Sequence, residues 1–152
     1  MGATSGRAAA PTDPEAVVRS YLASFTTADP AAIAAHVTPN FVNRHTAALG
    51  TDSTGRSTYE QRLPGFLTTM AGLRYEIEDL VVDGALVAAF YTMTANWQGR
   101  RPISIRGVQR LRTVEGLIAE RTDYWDSASF LLQTDQDAAA ALARFGISTP
   151  GP

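Results

Sequence analysis

Cysteine is absent from this chain of 152 residues. Its absence excludes disulfides, Cys-ligated zinc, iron–sulfur clusters and thiol nucleophiles. Lysine is absent too: all 13 basic residues are arginine, a compositional mark of a GC-rich coding genome. Charge of one sign is also scarce. The formal net charge is only -2, too little basic field to attract phosphate backbones, so nucleic acid is not an expected partner. No stretch approaches the roughly 20 apolar residues of a membrane helix, and the N-terminal MGATSGRAAAPTDP has no long apolar segment. The expectation is a soluble cytoplasmic protein with no membrane association. Only two histidines occur, His36 and His45, and neither belongs to a ligand-spaced cluster. No metal and no cofactor are expected.

What is present is enough for one core. Hydrophobic residues make up 45% of the chain, and a domain of this length buries a core without covalent staples. The division expected is a disordered tail over 1–12, a folded domain over 13–133, and a C-terminal helix with a frayed end over 134–152. Asp13-Pro14-Glu15 reads as a helix start, with a capping carboxylate and proline at the first helical position. Val17, Val18, Tyr21, Leu22 and Phe25 follow as one apolar stripe. Asp29-Pro30 starts a second short helix carrying Ile33 and Val37. Phe41 to Thr46 is β-prone, and Leu49 to Arg56 reads as a loop. Ser57-Thr58-Tyr59-Glu60 fits a capping box for a third helix, kinked at Pro64, with Tyr59, Leu63, Phe66, Leu67 and Met70 inward.

From Leu73 the period changes to two. Strands are expected near Leu73–Val82, Ala85–Trp97, Pro102–Thr113 and Leu117–Asp126, separated by turn signals at Asp83-Gly84, Gln98-Gly99 and Glu115-Gly116. Helical segments follow at Ser127–Gln133 and Asp135–Phe145. Helices, an isolated strand, another helix and then a meander make an α+β order, and no GxGxxG or Walker pattern argues for a nucleotide fold.

This order, with the strings VVRSYLASFTTAD, TPNFVNRH and GVQRLRTVEGLIAERTDYWD, resembles the SnoaL-like polyketide cyclases. It is more distantly similar to ketosteroid isomerases and limonene-epoxide hydrolases. The resemblance runs from about Pro14 to Gln133. It implies an α+β cone: a curved antiparallel sheet wrapped around N-terminal helices, with an apolar pocket on the concave face. Strand parity sorts the residues once that face is assigned. Arg121, Asp123 and Trp125 fall inside on the last strand, and Ile105, Gly107, Gln109 and Leu111 on the one before. Ala89, Tyr91 and Met93 come from the next, and Asn43 with His45 from the isolated strand. Arg106, Arg110 and Arg112 fall outside, with Glu76, Glu78 and Glu120 on neighbouring strands to neutralise them.

Asp123 stands where the resemblance places an acid/base aspartate. A carboxylate in an apolar cone is penalised in its charged form, which raises its pKa toward the range for proton shuttling. The competing reading pairs it with Arg121, two residues away on the same face. His45 aligns with the base position of ketosteroid isomerase and reads as a second base or a hydrogen-bond donor. Tyr21 aligns with the oxyanion tyrosine but equally fits the core stripe of its helix. Asn43, His45, Gln109 and Tyr91 are expected to place substrate oxygens, Arg121 to tune Asp123 or hold an anionic group, and Trp125, Tyr91, Met93 and Phe41 to wall the pocket. Gly107 replaces the second oxyanion acid of ketosteroid isomerase, and Ala89 and Tyr91 replace the Arg and second Asp of the epoxide hydrolases. The resemblance therefore implies a cofactor-independent acid/base enzyme on a bulky apolar carbonyl metabolite, a polyketide cyclase by aldol-type ring closure. Epoxide hydrolysis and a non-catalytic binding or dimerisation module remain as alternatives. A homodimer through the convex sheet face is implied as well.

Overall fold

The structure is a computed structural model that describes residues 12–149; the expected disordered tail falls, but for residue 12, outside this range. The order of elements is α+β. Helix α1 (Pro14–Ser24) and a 3-10 turn (Phe25–Thr27) precede α2 (Pro30–Ala34), β1 (Val37–His45), the two-residue β2 (Ser53–Thr54) and α3 (Arg56–Thr69). Strands β3 (Met70–Asp83), β4 (Leu86–Trp97), β5 (Arg101–Val114) and β6 (Leu117–Trp125) follow, then α4 (Ser127–Thr134) and α5 (Gln136–Ala143).

The helix starts form as their chemistry dictates. Asp13 accepts from Ala16 N at 3.1 Å and Asp29 from Ala31 N at 3.0 Å, each just before a proline at the first helical position. Both satisfy amides that the helix itself leaves orphaned. The capping box expected at Ser57 does not form. The helix opens two residues earlier, with Gly55 at its cap and no side-chain cap bond. Arg56 instead anchors this end by donating to the Val37 carbonyl. Val37, expected on α2, begins β1, because α2 stops at Ala34.

Six strands form one sheet in the order β2-β1-β6-β5-β4-β3. The meander β3 to β6 is antiparallel throughout. β1 runs parallel to β6, so the sheet is mixed where the pattern suggested uniformly antiparallel pairing. β1 and β6 lie far apart in the chain, so no hairpin fixes their relative direction. The last hairpin is a two-residue turn with both Glu115 and Gly116 at positive φ, a backbone that matches the twist of the strands it joins. Register shifts in β3 at Ala71/Arg74 and Ile77/Asp79, and in the β5–β6 pair at Arg112/Thr113, bend the sheet into a half-cone.

The stripe Val17, Val18, Tyr21, Leu22 and Phe25 packs into the concave face against Leu111, Val87, Ala89 and Ile118. The convex face carries ion pairs between Arg106 and Glu78 at 3.5 Å and between Arg112 and Glu120 at 3.4 Å, as strand parity required. At one side of the cone, α4 is fastened by Gln133, which pairs with both the N–H and the carbonyl of Ser104. Among the described residues no helix is long and apolar enough to cross a membrane.

Candidate functional site

The wide end of the half-cone encloses a cavity of about 550 Å³. Its walls are mostly aromatic and aliphatic: Phe25, Tyr75, Met93, Trp97, Trp125 and Phe130 among them. Successive edge-to-face contacts hold these rings. Tyr75 meets Phe25 and Tyr91 with centroids 5.1 Å apart in each case, and Phe130 meets Trp97 at 4.9 Å and Trp125 at 6.0 Å. Pairs in this geometry add stability beyond the area they bury and fix the ring planes. Helix α4 thus closes one side of the pocket through Phe130.

The buried polar groups centre on one ion pair. Arg121 and Asp123, two residues apart on β6, point the same way and form an ion pair with Arg121 Nη2 2.9 Å from Asp123 Oδ2. Each side chain is only 5% exposed. Tyr91, from β4 across the intervening strand, donates to Asp123 Oδ1 at 2.6 Å, and Gln109 Nε2 donates to Oδ2 at 3.4 Å. The carboxylate therefore accepts from three side chains. Burial, followed by the negative charge of Asp123, pushes the Tyr91 phenol well above its usual value, so it stays protonated as a donor. Burial works against the charge on Arg121, but the surrounding phenols and Asp123 outweigh it, and the guanidinium stays charged. Desolvating two ions costs several kcal/mol each, roughly, and an apolar pair of equal volume commonly does as well for stability.

His45 and Asn43, on β1, stand in register with Asp123 and Arg121 of the adjoining β6 and line the same wall of the cavity. Burial, then the charge of Arg121, lowers the His45 pKa from 6.5 to about 4. The ring is neutral near pH 7. Trp125 Nε1 donates to His45 Nδ1 at 3.2 Å. An indole can only donate, so Nδ1 is the acceptor and the proton sits on Nε2. The Asn43 amide lies 3.4 Å from that nitrogen. The nearer atom is the amide nitrogen, but a neutral imidazole already accepting at Nδ1 takes no second donor, so hydrogen-bond chemistry assigns the amide turned over, with its otherwise unpartnered oxygen toward Nε2–H. In this arrangement Nδ1 of His45 is filled and Nε2 carries the proton.

Seven of the residues singled out in the sequence meet at this cavity: Asn43, His45, Tyr91, Met93, Arg121, Asp123 and Trp125. Three do not line it. Tyr21 is fully buried and its hydroxyl lies 2.6 Å from that of Tyr59, which stands between it and the pocket. Gln109 is fully buried and sits behind Asp123. Phe41 is fully buried and packs edge to face on Tyr59 with centroids 5.0 Å apart. Parity gives the face of a strand or helix but not the depth along a narrowing cone, and these three fill its closed end. The lining residues not singled out as site residues include Tyr59, Tyr75, Trp97 and Phe130. Tyr59 was legible as an inward residue of α3, and Tyr75 shares the inward parity of Leu73; nothing local tells a lining phenol from a packed one. His36 bonds Ser20 and the Ala32 carbonyl, away from the site. Among the described residues no group of three or more His, Asp or Glu is placed to hold a metal ion.

With this geometry in hand, comparison with known proteins gives the class. The chain belongs to the SnoaL-like domain family, whose pattern it matches over residues 18–121. No curated protein sequence matches it. Among solved structures it is similar to a protein with a ketosteroid isomerase-like fold from Catenulispora acidiphila, crystallised with trimethylamine. That pair has a TM-score of 0.73 and 20% identity over 81% of this chain and 95% of the other. A protein described as a SnoaL-like polyketide cyclase from Jannaschia gives a TM-score of 0.70 at 13% identity, covering 86% of this chain and 99% of that one. An epoxide hydrolase of the limonene-epoxide-hydrolase-like type from M. tuberculosis gives 0.67 at 16% identity, with 89% and 96% covered. These identities establish the α+β cone and leave the reaction to the site.

Proposed function

We propose that the chain is a cofactor-independent acid/base enzyme acting on a bulky, mostly apolar carbonyl compound, with aldol-type ring closure of a polyketide as its reaction. The observation that carries this reading is the placement of one carboxylate, Asp123, on the wall of an aromatic cavity, oriented by Tyr91 at 2.6 Å and Arg121 at 2.9 Å. In such a step Asp123 removes a proton from a carbon flanked by carbonyls. The enolate carbon bonds to a second carbonyl carbon, whose C=O becomes an alkoxide, and the proton on Asp123 passes to that oxygen. Bonds and protons balance with no external reductant or water. Arg121 stabilises Asp123 before transfer, and phenols lining the cavity offer donors to the developing oxyanion. The apolar walls exclude water, which protects the enolate from quenching.

The test is deuterium exchange into polycyclic β-keto esters in heavy water, comparing the wild-type protein with Asp123→Asn after circular dichroism has verified that the variant is folded. Fast exchange abolished by the substitution supports the reading; exchange that persists in Asp123→Asn sinks it.

One observation favours a second reading, that the cavity binds without turning over. Both oxygens of Asp123 are already engaged by protein donors. Binding of the same compounds without exchange, in wild type and variant alike, would select this reading.

Homodimerisation through the convex face belongs to the same proposal. Phe90, Val108 and Tyr124 stand in register across β4, β5 and β6 on that face, with Phe90 39% and Tyr124 45% exposed. Such an apolar row in the middle of a charged sheet suits a second copy of itself.

A further inference from the structure

The buried polar cluster has a direction, set by which hydrogens have somewhere to go. Arg121 Nη1 donates to Tyr21 Oη at 2.9 Å, and a guanidinium has no acceptor, so Tyr21 receives this bond. Tyr21 Oη also lies 2.6 Å from Tyr59 Oη. Two arrangements are open to the pair. If Tyr59 donated to Tyr21, the phenolic proton of Tyr21 would need another acceptor. Among the described residues it has none, and Tyr21 is fully buried with no access to the cavity. That arrangement leaves a buried donor unsatisfied, at the full cost of its desolvation. In the other arrangement Tyr21 donates to Tyr59, and the Tyr21 hydroxyl both accepts and donates. The proton left over belongs to Tyr59, which lines the cavity and makes no other side-chain hydrogen bond among the described residues.

We infer that Tyr59, and not Tyr21, is the phenol that donates to a ligand oxygen in the cavity, at the end of a one-way chain from Arg121 through Tyr21. The ligand class follows: a carbonyl or enolate oxygen, an acceptor, attached to a ring system that fills the aromatic walls. Hydrogen bonds in series polarise one another, so a fixed positive charge at the far end makes Tyr59 a stronger donor than an isolated phenol. Burial, then the proximity of Tyr21, holds the Tyr59 phenol well above its usual pKa and keeps the proton in place. Tyr21 is a positioning residue, and Phe41, edge to face with Tyr59, fixes the ring. This inference names the oxygen-binding group of the proposed site but rests only on the cavity accepting a carbonyl ligand, whether or not Asp123 turns it over.

The probes are 1-tetralone, whose carbonyl only accepts, and tetralin, the same ring system without it. Wild-type protein is expected to bind 1-tetralone about tenfold more tightly than tetralin, the scale of one net hydrogen bond. The carbonyl stretch of bound 1-tetralone should move to lower frequency. In Y59F both the preference and the shift vanish while tetralin binding is retained. The ratio of the two affinities cancels any general damage to the pocket. Should Y59F fail to fold, Y21F/Y59F removes both partners of the phenol pair together and is measured in the same way. A preference and a carbonyl shift that survive loss of the Tyr59 hydroxyl overturn the inference, as does wild-type protein that binds both probes equally. Failure of deuterium exchange, with the tetralone preference intact, would overturn the acid/base reading alone.

Discussion

The phenol of Tyr91 reaches Asp123 at 2.6 Å because residue 107, between them on β5, has no side chain. A Cβ on Gly107 would lie 2.4 Å from Tyr91 Oη and 2.7 Å from the Tyr124 carbonyl. The ring could swing away, but the backbone carbonyl could not. Gly107→Ala is therefore expected to cost about 1–3 kcal/mol, the usual scale of overpacking. It should also expel Tyr91 from Asp123 and reduce exchange activity beyond what the stability loss explains. Urea unfolding and the exchange assay on the same preparation check both parts.

The Arg121–Asp123 pair sets a second expectation. Removing either charge alone strands the other in a site where both side chains are 5% exposed. Asp123→Asn and Arg121→Gln should each destabilise by about 3–5 kcal/mol, whereas the double variant should lose clearly less than the sum. Chemical denaturation of all four proteins measures the coupling, and additive losses would contradict the pairing.

His45 ties stability to pH. Its folded pKa of about 4 lies below the 6.5 of the unfolded chain. Between these values the unfolded state binds a proton that the folded state refuses. The sign is therefore a loss of stability as pH falls from about 6.5 to about 4, with no contribution above that window. Allowing for solvent screening at a partly exposed ring, the loss is about 1–2 kcal/mol. His45→Asn should flatten the difference between unfolding free energies at pH 7 and pH 4.5 by that amount. An unchanged pH dependence would show that the ring titrates normally.

Trp125 controls the tautomer of His45 by its 3.2 Å hydrogen bond to Nδ1. Trp125→Phe keeps a ring in the wall but removes the N–H that fills Nδ1. Nitrogen-15 NMR should then show the Nε2–H form of His45 mixed with the Nδ1–H form, where wild type holds the former alone.

For the convex face, light scattering at micromolar concentration should give twice the chain mass of 16.3 kDa, and a charge introduced by Tyr124→Glu should return it to one chain. Monomeric wild-type protein would remove the dimer from the proposal.

The strands carried their own information. Residues such as Arg121, Asp123 and Trp125 could be placed on one face because alternation in a strand is a local property, fixed by backbone geometry at every residue. Helix starts at Asp13 and Asp29 were equally legible, since a capping side chain bonds amides only two or three positions away. The Ser57 capping box failed for the complementary reason: a distant contact, Arg56 to the Val37 carbonyl, fixed the entry of α3 instead.

Depth was not legible. Tyr21 and Tyr59 are both inward-facing phenols on helices, separated by 38 residues in sequence, and nothing near either in the chain says which lines the cavity. That ordering depends on how α1 and α3 stack within the cone, as do the placement of Gln109 behind Asp123 and the parallel pairing of β1 with β6. The sequence by itself determined the α+β order and which residues share a face of each strand, Arg121 with Asp123 among them. Only the tertiary structure decided which inward groups meet empty space and which meet each other, because that is settled by long-range packing.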